Sequence, residues 1–408
     1  MGNYYSQIKD NYPDRAKIVE WLKYALDARV YYYGQNFKYP YENPSLLVKI
    51  RLKIIKFLYR FKSVKVDYNR AVISNAYFDV GGQLKKNGFN VVLPPWTTNN
   101  MSRASMRTID EISNSNFNYI LSDAFFKKIE NLVNDVRAFL SMNKVRFVLL
   151  SNDMVPIHRI TLDVCKDLGI PTGIFLHGLP GRYNSIDDSR ANYLFVWGDR
   201  IKENYLRYGC KSTVVVTGHP NYSAFNLIKI NSLNVLVLTK ASVGTPSRSD
   251  KYKIDDRGLS IQYVYAVEKV LKNLNYKNAT LRLHPSESPQ WYKKIIDTDF
   301  FTIDDEPLKN SLSHAKMVIG PVSTVMLDAV FNDIPYYPYI ISTDNNSYAG
   351  DMVPPFNDFG SFPTSLSCDD LEDRIKKCDY VTKEHLNGYI NPVFNIDKIS
   401  NIINKKNG

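Results

Sequence analysis

At 408 residues the chain is longer than one typical hydrophobic core organises, and calls for two domains. Apolar residues at 44% and charged residues at 23% exclude a wholly disordered chain, and no run of about 18 apolar residues is available to span a bilayer. A net charge of +11 asks for an anionic partner, whether nucleic acid, anionic lipid or an anionic substrate.

Taken in chain order, the opening MGNYYSQIKD lacks the apolar core of a signal peptide, so a cytoplasmic location is expected. The basic residues concentrate in Leu46–Lys65, where Lys49, Lys53, Lys56 and Arg60 share one stripe of a helical wheel. Leu47, Ile50, Ile54, Phe57 and Phe61 share a face beside it. That pattern suits an anionic membrane surface, and equally a helix packed on its own domain with a solvated lysine face. No zinc-finger or RNP-like signature accompanies the charge, so nucleic acid is not the expected partner. Apolar runs of strand length follow: RAVIS, NVVLPP, VRFVLLSND, TGIFLHG, NYLFVWG and STVVVTGHP. Helices are expected at Tyr119–Asn143 and Pro156–Gly169, the latter opening on proline and closing on glycine. A second series comprises NVLVLTKAS, YVYAVEKVLKNL, ATLRLHP, MVIGPVSTVMLDAVFNDIP and PYYPYI. Strands alternating with helices predict a mainly parallel α/β fold. The expected domains are residues 1–228 and 229–386, with 387–408 packing back on the first. Four scattered cysteines without a CxxC pair read as reduced thiols, and no His/carboxylate cluster has metal-ligand spacing.

Ligands of open α/β sheets bind at the carboxyl ends of strands, and the informative residues sit there. His284-Pro285 closes the strand LRL; histidine can donate to a phosphate or base, or simply cap the strand. Gly320-Pro321 is followed by Ser323-Thr324 where a helix begins, and the same hydroxyls and amides serve anion binding or ordinary capping. Asp328, one turn on, can meet a ribose or remain a surface charge. Lys240 follows NVLVLT and can neutralise a leaving phosphate. Asp153 ends a very apolar strand, as an N-cap or as a catalytic base or nucleophile. Asp79 stands similarly after RAVISNAYF. His177 in FLHG can polarise an acceptor, with Gly178 permitting close approach. Arg182, Tyr183 and Arg282 are weaker binding candidates.

The pairing of His284-Pro285 with Ser323-Thr324 resembles the nucleotide-binding half of GT-B glycosyltransferases that build bacterial surface polysaccharides. The likeness is to enzymes using CMP-activated 2-keto sugar acids, such as sialyltransferases and Kdo transferases. It implies two Rossmann-like domains facing each other across a cleft, with an acceptor-binding first domain and a nucleotide-sugar-binding second. It further implies that His284 and Pro285 contact CMP, that Ser323 and Thr324 hold its phosphate, and that no cofactor or metal is needed. The expected partners are a nucleotide sugar and a glycan or lipid-linked acceptor at the inner face of the cytoplasmic membrane. The acidic-acidic-Gly motif of sialyltransferases has only a loose echo in Asp79-Val80-Gly81-Gly82. Leu176-His177-Gly178 and the later motifs also resemble glycerol- or ribitol-phosphate transferases of teichoic-acid type. A UDP-sugar enzyme of this fold, a sugar-nucleotide 2-epimerase and an inactive nucleotide- or glycan-binding domain are the other readings.

Overall fold

The computed structural model describes residues 10–11, 13–34, 65–179, 190–222, 234–239, 256–284, 287, 289–343, 346–347, 354–358 and 360–405. The basic segment Leu46–Lys65, apart from Lys65 itself, and the expected boundary near Ser223–Asn234, apart from Asn234, lie outside them. The chain divides into two compact units. One contains Met1–His177, Asn184–Pro220 and Asn391–Gly408; the other contains Gly178–Tyr183 and Asn221–Ile390.

The first unit is built on six parallel strands: β1 (Val72–Ser74), β2 (Val91–Val92), β3 (Phe147–Leu150), β4 (Thr172–Phe175), β5 (Tyr193–Val196) and β6 (Thr213–Val216). β3 and β4 are buried at every residue, which is why they read as unbroken apolar runs. Helix α1 (Ala16–Gly34) precedes the sheet, and α2 (Val80–Lys86) follows β1. Between β2 and β3 come α3 (Arg103–Asn114) and α4 (Asp123–Met142). The helix expected from Tyr119 starts instead at Asp123, because the Ser122 hydroxyl accepts the Phe125 amide and opens a new helix there. Helix α5 (Pro156–Leu168) begins on proline and stops at Gly169, whose φ of 68° is the left-handed cap the sequence announces.

The second unit carries β7 (Asn234–Leu238), β8 (Ala279–Arg282), β9 (Phe301–Asp304), β10 (Ala315–Gly320) and β11 (Tyr336–Pro338), again all parallel. Strand β9 has no counterpart among the expected strands. It lies at the edge of the sheet and alternates instead of running apolar, with Phe301 buried and Thr302 exposed. Helix α6 (Asp199–Arg207) joins β5 to β6, α7 (Asp256–Asn273) precedes β8, α8 (Leu308–Ser313) precedes β10 and α9 (Thr324–Phe331) follows it. No helix among the described residues is long and apolar enough to cross a membrane.

Strand order fixes where each unit can bind a ligand. The first sheet runs β2-β1-β3-β4-β5-β6 and the second β11-β10-β7-β8-β9. In each, the chain winds outward on one side of its first strand and then crosses to the other side. The crossing leaves a crevice at the carboxyl ends of β1 and β3 in the first unit, and of β7 and β10 in the second. Both units are thus Rossmann-like α/β folds by topology.

Of the expected C-terminal segment 387–408, Asn391–Gly408 belongs to the first unit, while residues 387–390 group with the second. Asn391 N–H donates to the Trp197 carbonyl at 2.9 Å, His219 N–H to the Asn391 carbonyl at 2.8 Å, and Asn395 N–H to the Thr217 carbonyl at 2.8 Å. Gly218 permits this close passage: its φ is +80°, and a Cβ there would overlap the Val393 carbonyl. Gly218→Ala combines left-handed strain with a backbone clash and is expected to cost about 2–4 kcal/mol. Urea denaturation reads that loss; an unchanged midpoint would remove Gly218 from the docking of the segment.

Candidate functional site

At the first crevice, loops from β1, β3 and β4 are joined by side-chain–backbone bonds. Asn75 accepts the Ser151 amide at 3.1 Å and lies 3.1 Å from His158 Nε2. His158 Nδ1 lies 3.0 Å from the Asn152 carbonyl. His158 is buried, and loss of hydration pulls its pKa down to about 4, against the opposing Asn152 bond. His177 emerges two residues beyond β4 and is exposed. Its Nδ1 is 2.7 Å from the Ser151 carbonyl, an acceptor only, so Nδ1 carries the proton and Nε2 is the basic nitrogen. Partial desolvation of the ring holds its pKa below the usual histidine value, outweighing the Ser151 bond. Tyr77 flanks it, ring centroids 5.3 Å apart. An exposed, neutral imidazole anchored through one nitrogen is equipped to take a proton from a hydroxyl.

Asp79 is exposed at the N-cap of α2 in a left-handed conformation, φ 55°, and caps no amide with its side chain. Its carboxylate lies where a Cβ on Gly82 would be, so the second glycine of Asp79-Val80-Gly81-Gly82 makes room for it. Asp153 is placed otherwise. It is 0% exposed and pairs with Arg190, Nε–Oδ2 3.6 Å. Neither an N-cap nor an outward base describes it, because α5 is preceded by Val155 and the carboxylate lies in the interior beside a guanidinium. Within this arrangement the outward-facing base is His177. His219 is also buried, its ring 4.4 Å from Trp197 and 4.7 Å from Phe78, and desolvation pulls its pKa down to about 3.

At the second crevice, Thr239 follows β7 and His284 follows β8. The His284 amide donates to the Thr239 hydroxyl and to Glu287 Oε2, both at 3.0 Å. Glu287 also accepts the Thr239 hydroxyl, and Tyr292 OH at 2.8 Å. Glu287 is thereby tied to both His284 and Thr239, and the His284 residue is exposed. Pro285 and Lys240 themselves lie outside the described residues, as do Arg182 and Tyr183. Across the crevice, Ser323 precedes α9 but caps no first-turn amide with its side chain. Its hydroxyl bonds Tyr336, whose own OH donates to the Pro321 carbonyl at 2.6 Å. Thr324 opens the helix, so its amide end faces the β7/β10 crevice. Arg282 is committed to Asp304 at 2.8 Å and to the Glu306 carbonyl at 2.6 Å, which fastens β8 to the edge strand.

Asp328 lies one turn into α9 and bonds the Tyr222 hydroxyl; Tyr222 stacks on Phe331 at 4.5 Å. Burial raises the Asp328 pKa to about 6, more than the Tyr222 bond lowers it. A carboxyl with a raised folded pKa stabilises fully below its unfolded value near 3.8, and that contribution is lost as pH rises through about 6. Asp328→Asn keeps a hydrogen-bonding oxygen without the charge. It is expected to stabilise by up to roughly 3 kcal/mol at pH 8, at about 1.4 kcal/mol for each pH unit between the folded and unfolded pKa, and by little at pH 4. Melting temperatures at the two pH values decide it; an equal gain at both would reject the buried charge as the cause.

Sequence reasoning had not reached Asn75, His158, Glu287 or Tyr222. Only Glu287, three residues past His284, carried a local signal, its spacing being that of a turn closed by a reciprocal side-chain bond.

No family model matches the chain, and no curated protein does. Among solved structures it is similar to the Methanocaldococcus jannaschii UDP-GlcNAc 2-epimerase in complex with UDP-GlcNAc and UDP, at 15% identity over 80% of this chain and 95% of that one, TM-score 0.46. It is similar to Acinetobacter baumannii MurG at 12% identity over 82% and 99%, TM-score 0.45. It is also similar to the wall teichoic acid polymerase TagF at 12% identity over 88% and 96%, TM-score 0.44. At this level the likenesses decide neither donor nor reaction.

Proposed function

We propose that the protein is a GT-B glycosyltransferase that moves a sugar from a nucleotide donor held by the second unit to a hydroxyl acceptor held by the first. The observation that carries the reading is His177: exposed at a strand end beside the first crevice, with Nδ1 committed to Ser151 and Nε2 left basic. In this reading His177 takes the acceptor proton as the hydroxyl oxygen attacks the anomeric carbon. The bond from that carbon to the leaving phosphate oxygen breaks, and the nucleotide departs with the electron pair. The amide end of α9, with Thr324 and Ser323, meets the phosphate charge, and Lys240 adds a cation. His284 and Pro285 contact the base or ribose, and Asp328 stands close by. Asp79 is the exposed carboxylate available to meet positive charge at the sugar.

The donor is proposed to be a CMP-activated 2-keto sugar acid, on the pairing of His284-Pro285 with Ser323-Thr324. The acceptor is a glycan or lipid-linked glycan of a bacterial surface polysaccharide. The basic pattern of Leu46–Lys65 supports attachment to an anionic membrane at the cytoplasmic face. No metal is assigned a role.

One observation favours a second reading, transfer of a polyol phosphate from CDP-glycerol or CDP-ribitol. With Asp153 buried against Arg190, the end of β3 presents no carboxylate to an oxocarbenium ion. Phosphoryl transfer needs the base and the phosphate cradle but no such carboxylate.

Calorimetric titration with CMP, CDP, UDP and GDP tests the donor, on the wild type and on His284→Ala. Selective CMP binding, weakened at least tenfold in the variant, is the expected result. Preference for UDP would replace the CMP donor with an ordinary sugar nucleotide, and failure of all four would reject the transferase. Phosphate content of the product separates glycosyl from polyol-phosphate transfer.

A further inference from the structure

We infer that Asn75 and His158 are positioning residues that lock the His177 imidazole in its Nδ1–H form by clamping the backbone of Ser151. The inference rests on the proposed role of His177 as the base, but its test does not.

The hydrogen positions follow from groups with a single possible role. The Ser151 amide can only donate, so the Asn75 atom it meets at 3.1 Å is the carbonyl oxygen. The Asn75 NH2 group therefore faces His158 Nε2 at 3.1 Å and must be the donor, which leaves Nε2 without a proton. His158 must then carry its hydrogen on Nδ1, and two acceptors surround that atom, the Asn152 carbonyl at 3.0 Å and Asn152 Oδ1 at 3.3 Å. Asn152 Oδ1 is itself identified as oxygen by the amides of Met154 at 3.1 Å and Val155 at 3.2 Å. Both ends of the chain thus give the same answer, with His158 neutral and its tautomer fixed. Burial keeps it neutral at physiological pH.

Ser151 is the hinge of the arrangement. Its N–H is held by Asn75, and its carbonyl accepts His177 Nδ1–H at 2.7 Å. Asn75 is also pinned from its own backbone, which donates to the Leu149 carbonyl at 3.1 Å. The end of β1 thereby fixes the backbone at the end of β3, which in turn sets the proton on the ring that follows β4. An unanchored histidine ordinarily exchanges between tautomers in water, and only one of them offers a basic Nε2 to a hydroxyl beyond the loop. Two side chains acting through the Ser151 backbone make that choice.

The test is imidazole 15N–1H correlation spectroscopy on full-length 15N-labelled protein at pH 7.5, with histidine substitutions for assignment. Wild type is expected to show both His158 and His177 as neutral Nδ1–H tautomers. In Asn75→Ala the Ser151 amide is released, and His177 is expected to give a substantial Nε2–H population. If His177 in that variant keeps the wild-type pattern, the inference is overturned. Asn75→Asp preserves an acceptor for Ser151 but presents a second oxygen to His158 Nε2. His158 is expected to become doubly protonated there while His177 remains Nδ1–H. A His158 still neutral at Nε2 in Asn75→Asp would overturn the hydrogen assignment, and this variant serves even if Asn75→Ala does not fold. Turnover by His177 variants tests the base itself separately, so a failure of that reading leaves the tautomer result intact.

Discussion

Replacing His177 with glutamine is expected to lower kcat by roughly 10²–10⁴-fold, the range for losing a general base, with the melting temperature nearly unchanged. Glutamine retains an amide that can donate to the Ser151 carbonyl, now held by His177 Nδ1 at 2.7 Å, but has no basic nitrogen. The KM of the donor should stay within a few-fold, because donor contacts are assigned to the second unit. The wild-type pH profile carries a second signature. A base works when unprotonated, so kcat/KM should be level above the His177 pKa and fall with acidity below it. Desolvation holds that pKa under the ordinary histidine value near 6.5, so the acid limb should lie below pH 6.5. Near-wild-type turnover in His177→Gln, or an acid limb above pH 7, would remove His177 from the chemistry.

How much of this was legible in the residues differs between the sheet and the site. Strand ends were readable because buried parallel strands are continuous apolar runs, and such runs stop where the chain meets solvent. FVLL, TGIF and NVLVL run apolar to their last residue, and the polar residues after them mark where the loops begin. The edge strand Phe301–Asp304 was unreadable because it has only one apolar face to declare. Side-chain direction was less readable still. Asp153 has the position of a cap or a base, and nothing nearby in sequence distinguishes these from an interior ion pair. Arg190 decides the matter from 37 residues away (190 minus 153). The Asn75–His158 contact joins residues 83 apart, and Asp328 meets Tyr222 from another part of the chain. Local patterning encodes where loops gather, while which polar groups meet there follows from the winding of the sheet.

Acid should unfold the first unit well before neutral-pH stability would suggest, and the two buried histidines set the window. His158 has a folded pKa of about 4 and His219 of about 3, both lowered by desolvation, against about 6.5 when unfolded. Between those values the unfolded chain binds the extra protons, so stability is fully present above pH 6.5 and is lost as pH falls. At about 1.4 kcal/mol for each pH unit crossed, each histidine removes at most roughly 3 kcal/mol by pH 4. Together they approach the 5–15 kcal/mol that typically holds a domain. Asp328 in the second unit has the opposite sign, since its carboxyl is most comfortable protonated. The units should therefore separate in acid, the first losing stability from pH 6.5 to 4 while Asp328 lends the second some back. Trp21, Trp96 and Trp197 lie in the first unit and Trp291 in the second, so urea-induced tryptophan fluorescence changes report mainly on the first. Their midpoint should drop steeply between pH 7 and 4.5. In His158→Gln, which cannot acquire the charge, the drop should be smaller by about half. An equal drop in that variant would assign the acid lability to groups other than this histidine, which burial holds neutral.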